Sequence, residues 1–170
     1  MIQPEQGFAG ILRALTPTLL GFVGVLLLSL PLRLFEGTVP TPVFPLIVIF
    51  FWSLYAAEYM PSISTFLIGL LQDLLLGGPM GMWAIAYLVT QYAMITQRSY
   101  FKGREQHVVW LGFLVAAFMA GTIIWLAMSI FAGTWMPVRP MIWQVLVTFA
   151  FYPVMAVAFS SLHERVIVEQ

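Results

Sequence analysis

The chain has 170 residues, of which 61% are hydrophobic and only 8% charged, and its formal net charge is zero. A soluble domain of this size is roughly a quarter charged, so there is too little polar surface to cover a globule in water, and lipid is the expected solvent. The neutral balance leaves no electrostatic footprint for nucleic acid, and the lack of cysteine excludes disulfides, thiolate nucleophiles and Cys-ligated metals.

The first residues, MIQPEQG, carry an acid and a proline but no basic cluster, unlike a cleaved signal peptide. The first apolar segment is therefore expected to stay in the membrane as an anchor. Over residues 3–15, Phe8, Ile11, Leu12 and Leu15 recur at helical spacing, with Glu5, Gln6 and Arg13 on other faces. A short helix lying on the membrane surface and a frayed terminus both fit. The first span is expected over about residues 17–35, with Thr16 as N-cap and Pro17 in the first turn. The second, about 45–59, again starts on a proline. Pro61 then forces a tight turn into a short third span, about 62–76, which the glycine-rich GGPMG of residues 77–81 ends. A fourth span is expected over about 82–97, a fifth over 108–131 and a sixth over 141–162.

An all-α integral membrane protein is expected, with a single membrane domain of six transmembrane helices. Spans two and three are short for a bilayer core of about 30 Å. The alternative is five spans, with those two as a re-entrant pair. With six spans, Arg13, Arg98, Lys102, Arg104 and Arg165 share one side, against Arg33 and Arg139 on the other. The positive-inside rule then places both termini in the cytoplasm. Trp83, Trp110, Trp135 and Trp143 fall near expected interfaces, whereas Trp52 and Trp125 lie mid-span as packing residues.

Polar groups inside spans are the informative ones, because each needs a partner or a water-filled site. Thr65, Gly69, Asp73 and Gly77 step by four along one face of span three. Small residues there permit close helix approach. Asp73 lies near the negative end of its helix dipole and needs compensation. Two sources offer it: the free N–H groups where the next helix starts, around Gly81 to Trp83, and Arg33 at similar depth on span one. Asp73 as a staple of that turn, as a ligand- or proton-binding group, or as a hydrated carboxylate are the three roles open to it. Span six carries Gln144, Thr148, Tyr152, Ala156 and Ser160 at steps of four, with Pro153 among them. Span four offers Tyr87, Thr90 and Gln91, and span five a small-residue face of Gly112, Ala116 and Ala120. Helix packing explains these stripes; a polar-lined cavity of Asp73, Tyr87, Gln91, Gln144 and Tyr152, or a face for a partner helix on span five or six, are the functional alternatives. Glu58 is placed to pair with Arg98, and Arg33 with Glu36. No HExxH, phosphate loop, GxSxG or acidic ligand cluster is present. His107 and His163 both fall at the basic edge. No catalytic residue, metal site or cofactor is expected.

Residues 45–89 resemble the bacterial rod shape-determining MreD family. The aromatic-rich FPLIVIFFWSLY, the turn EYMPS and then GLLQDLLLGGPMGMWAIAYLV carry the resemblance, with Gly69, Asp73, Gly77 and Gly81 at the family's motif positions. Length and the basic loop after span four also suit it, while the family's basic tail is reduced here to HERVIVEQ. The resemblance implies a non-enzymatic inner-membrane subunit of the machinery that elongates the side wall of rod-shaped cells. The implied direct partner is the periplasmic protein MreC. Through it come the actin-like MreB, RodA and the wall transpeptidase. It also implies a compact bundle similar to the S-components of vitamin transporters, with a central cavity that would suit a small molecule or lipid.

Overall fold

The computed structural model describes residues 8–29, 40–101 and 103–163, with side chains over 15–29, 40–101 and 103–160. Among the described residues the chain is all α. Its six α-helices are α1 Phe8–Ser29, α2 Phe44–Tyr55, α3 Ser62–Leu76, α4 Met82–Phe101, α5 Gln106–Ala132 and α6 Val138–His163. Two stretches, Gln106–Ala132 and Val138–Ser160, are long and apolar enough to cross a membrane. Leu15–Ser29, Phe44–Tyr55 and Ser62–Leu76 are shorter apolar helices.

α1 departs from the sequence expectation of a surface segment followed by a helix beginning at Pro17. It is one helix from Phe8, with Pro17 inside it. The proline forfeits a hydrogen bond to the Arg13 carbonyl, and Pro17 is buried against the rest of the bundle. α2 is shorter than expected. It stops at Tyr55, and Ala57–Tyr59 form a separate 3-10 turn. Ala56 leaves the helix at φ −148°, ψ 58°, and Pro61 disfavours helical geometry at Met60, which sits at φ −124°, ψ 73°.

Ten of the twelve residues of α2 are buried, Pro45 through Leu54. A helix apolar all round belongs in a core, and α2 is that core here. It packs against α1, α4, α5 and α6, while α3 packs on α1 and α4. Phe50 of α2 meets Phe113 of α5 edge-on at 5.1 Å, and Tyr152 of α6 stacks on Phe113 at 4.3 Å. The outer faces are apolar: Val23, Leu67, Ile85, Val115 and Val154 are all exposed. Such a surface suits lipid rather than water.

Neither face expected to receive a partner helix is available. Ala116 and Ala120 are buried inside the bundle, and a Cβ at Gly112 would lie 2.5 Å from the Phe101 ring. On α6, Thr148, Tyr152 and Ala156 are likewise buried, and only Ser160 of that stripe is exposed. Small residues at helical spacing mark close packing, and the chain's own helices occupy it.

Candidate functional site

α3 and α4 cross where Gly69 meets Ala84. A Cβ at position 69 would overlap the Ala84 Cα and lie 2.8 Å from the Trp83 carbonyl carbon. This approach holds the acidic face of α3 against the start of α4. Gly77 ends α3 in the left-handed region at φ 71°, and Gly81 takes φ 90° before α4 begins. Both conformations favour glycine.

Asp73 sits across that turn, only 1% exposed. Its Oδ2 accepts from the Gly81 N–H at 2.8 Å and its Oδ1 from the Trp83 N–H at 3.0 Å. Its carbonyl accepts from the Gly77 N–H at 3.1 Å. One residue thus joins the end of α3 to the free amides at the start of α4. The positive end of the α4 dipole compensates the carboxylate. Arg33, the other expected partner, and its pairing with Glu36 lie outside the described residues.

The remaining polar groups on α3 and α4 also join helices. Tyr87 donates its hydroxyl to Gln72 Oε1 at 2.6 Å, tying α4 to α3. Gln91 Nε2 donates to the Met60 carbonyl at 2.7 Å, fastening α4 to the turn before α3. Thr148 donates to the Gln144 carbonyl at 2.6 Å and accepts from the Val43 N–H at 3.0 Å, so that α6 caps the start of α2. The Tyr152 hydroxyl is buried and has no hydrogen-bond partner among the described residues. At the basic end, Arg98 approaches Glu58 at 3.5 Å, and His107 is exposed beside Glu105 at 3.2 Å.

A cavity of about 470 Å³ opens at the end that carries the GGPMG turn. Its walls come from the starts of α2, α4 and α6, the stretch of α5 from Ala117 to Met128 and the α5–α6 connection. Leu46, Trp83, Ile124, Trp125, Met128 and Met141 supply most of the apolar lining. Gln144 and Thr148 line it too, but Asp73, Tyr87, Gln91 and Tyr152 do not. The expectation of one cavity shared by the whole polar set is therefore corrected. Each of those groups except the Tyr152 hydroxyl is engaged by a neighbouring helix or turn, which keeps it away from the opening. Trp83 is corrected as well: it is 6% exposed and lines the cavity, rather than forming part of an interfacial belt. Trp125, expected as a mid-span packing residue, stacks on Trp135 at 5.5 Å and donates to the Met136 carbonyl at 2.9 Å, which shapes the mouth.

Trp83 connects the two features. Its N–H is held by Asp73 and its residue lines the cavity, so the acidic turn fixes one wall. Gln72, Met60 and Val43 are partners that sequence reasoning missed. Gln72 was detectable as the second polar residue beside Asp73 in an apolar helix.

The profile of one protein family, rod shape-determining protein MreD, matches residues 10–162. No curated protein and no solved structure matches the chain.

Proposed function

Because the chain belongs to the MreD family, and so has a role in rod shape determination, we propose that it is a non-enzymatic scaffold of the cell-wall elongation complex that binds MreC directly. Through MreC it would be linked to MreB, RodA and the wall transpeptidase. One observation carries this over a catalytic role: the polar side chains of the α3–α4 region join one helix to the next rather than converging on an open site. A catalytic site needs an accessible nucleophile or base with an orienting partner, and the buried carboxylate is engaged at both oxygens by backbone amides. The protein is placed in the inner membrane with six spans and both termini cytoplasmic, supported by the count of basic residues on the two sides. The GGPMG turn and the cavity then face outward, where a periplasmic partner is met.

Affinity purification from gentle detergent, with mass spectrometry of co-purifying proteins, tests the scaffold function. Recovery of MreC with wall-synthesis proteins is expected. Recovery of an energising ATPase pair instead would support the second function, that of an S-component-like carrier of a small molecule or lipid. The open cavity is the observation that favours this second function.

A further inference from the structure

The outer surface of the bundle is not equally tall on all sides. On α5 the exposed residues Leu111, Val115, Phe118, Leu126 and Ile130 are apolar. At a rise of about 1.5 Å per residue they cover about 30 Å, the thickness of an ordinary bilayer core. Thr122 is exposed within this run, but its hydroxyl donates to the Phe118 carbonyl at 2.8 Å and so needs no water. On α6, Ile142, Leu146, Val154 and Val157 continue the tall face. α3 and α4 form a shorter side. On α3 the exposed apolar residues begin at Ile63 and end at Leu76, about 20 Å apart along the helix. On α4 they run from Ile85 to Ile95, about 15 Å, and Thr96, Gln97 and Ser99 beyond them are exposed.

Polar groups fix both edges of the short side. At the basic end Arg98 of α4 approaches Glu58 at 3.5 Å, on the turn that precedes α3. A long basic side chain at a helix end can extend several ångströms toward water, but this pairing holds the guanidinium at the level where α3 begins. At the other end α3 stops at Gly77, and the chain runs without α-helix to Gly81. The last carbonyls of a helix lack intrahelical partners, and non-helical backbone facing lipid is not tolerated in hydrocarbon. Both edges therefore belong at headgroup depth. Tilting the bundle shortens the projection of every helix on the bilayer normal, so it cannot lengthen the short side.

We propose that α3 and α4 sit against a locally thinned bilayer, about 10 Å thinner than the bilayer beside α5 and α6. The partner this surface fits is lipid of reduced hydrocarbon thickness. Chains beside α3 and α4 are short or splayed, and headgroups are drawn toward the bilayer centre at the GGPMG turn. The proposal rests on the six-span reading and is independent of MreC.

The chain has no cysteine, so single cysteines can carry a nitroxide without background. The full chain is reconstituted in dioleoyl phosphatidylcholine vesicles. The depth of each nitroxide is read from its relative accessibility to oxygen and to a water-soluble nickel chelate. Ile63→Cys, Leu67→Cys, Leu74→Cys and Met80→Cys follow the short side, and Leu111→Cys, Thr122→Cys and Ile130→Cys the tall one; all are exposed positions. Labels at positions 63 and 80 are expected at headgroup depth, with those at 67 and 74 deeper. No label on α3 should lie deeper than about 10 Å, against about 15 Å at position 122. In thinner dimyristoleoyl phosphatidylcholine the label at 122 should move toward the headgroups, and the α3 profile should stay. A label at 80 lying deeper than that at 74 would overturn the proposal, because the bilayer would then keep its thickness and bury the turn. So would α3 labels that shift with the lipid as position 122 does, or that neither reagent reaches. If the label at 63 is the deepest on α3 and that at 80 is shallow, α2 and α3 are a re-entrant pair. That result overturns the six-span reading as well, whereas a buried turn leaves it standing.

Discussion

Asp73→Ala removes the acceptor for two amides, a part-buried one at 2.8 Å and a buried one at 3.0 Å, and takes away the bond each N–H of the α4 start makes to it. Hydrogen bonds to a charged acceptor contribute about 1.5–3 kcal/mol each. Inter-helix bonds in membranes average nearer 0.6 kcal/mol, because the unfolded chain in lipid also finds partners. The truncation also relieves the cost of burying a carboxylate, so a net loss of about 2–4 kcal/mol is expected. For a chain of this length that corresponds to a fall in Tm of roughly 5–15 °C. Asp73→Asn keeps the shape but turns an NH2 group toward one of the two amides, and should fall between wild type and alanine. The assay is thermal unfolding of the purified protein in mild detergent, followed by tryptophan fluorescence, since Trp83 sits on the affected turn. A Tm for Asp73→Ala within 1 °C of wild type, as an order-of-magnitude criterion (~0.3 kcal/mol), would refute the staple. If rod shape were nonetheless lost in cells, Asp73 would be a binding or proton-carrying group instead.

Gly69→Ala drives a Cβ into the Ala84 backbone and should cost more than Gly112→Ala, whose Cβ meets only the Phe101 ring; comparative Tm values decide it. Tyr87→Phe frees Gln72 from its 2.6 Å partner and should cost about 1 kcal/mol by chemical denaturation. Tyr152→Phe loses no hydrogen bond and should leave stability unchanged or raise it by up to about 1 kcal/mol in the same assay. Arg98→Ala breaks a partly exposed pair at 3.5 Å and should change stability by less than about 1 kcal/mol.

The α3–α4 turn was legible because its signals are local. Gly77 and Gly81 mark the two positive-φ positions, and Asp73 lies one turn before the break, within reach of the next helix start. Spacing also placed Thr65, Gly69 and Asp73 on one buried face. Spacing did not reveal what each face meets. The small residues of α5 pointed to close packing, but only the tertiary arrangement shows that the bundle itself fills that face. The stripe on α6 pointed to a polar lining, yet Thr148 is engaged by Val43, far away in sequence. The cavity was the least legible feature. Its walls combine residues near 43, 83, 121 and 141, and no periodicity along one helix reports their meeting. The continuity of α1 through Pro17 was missed because the proline has two local meanings, a start or an interior kink, and burial decides between them.

The most direct test of the scaffold function is photocrosslinking in living rod-shaped cells. A photoreactive amino acid is placed singly at Val23, Leu67, Ile85, Val115 and Val154, exposed positions on α1, α3, α4, α5 and α6. Capture of MreC from one or two adjacent helices, and not from the others, is the predicted result. If variants that still support rod shape capture MreC from none of these positions, direct binding through the membrane faces is contradicted.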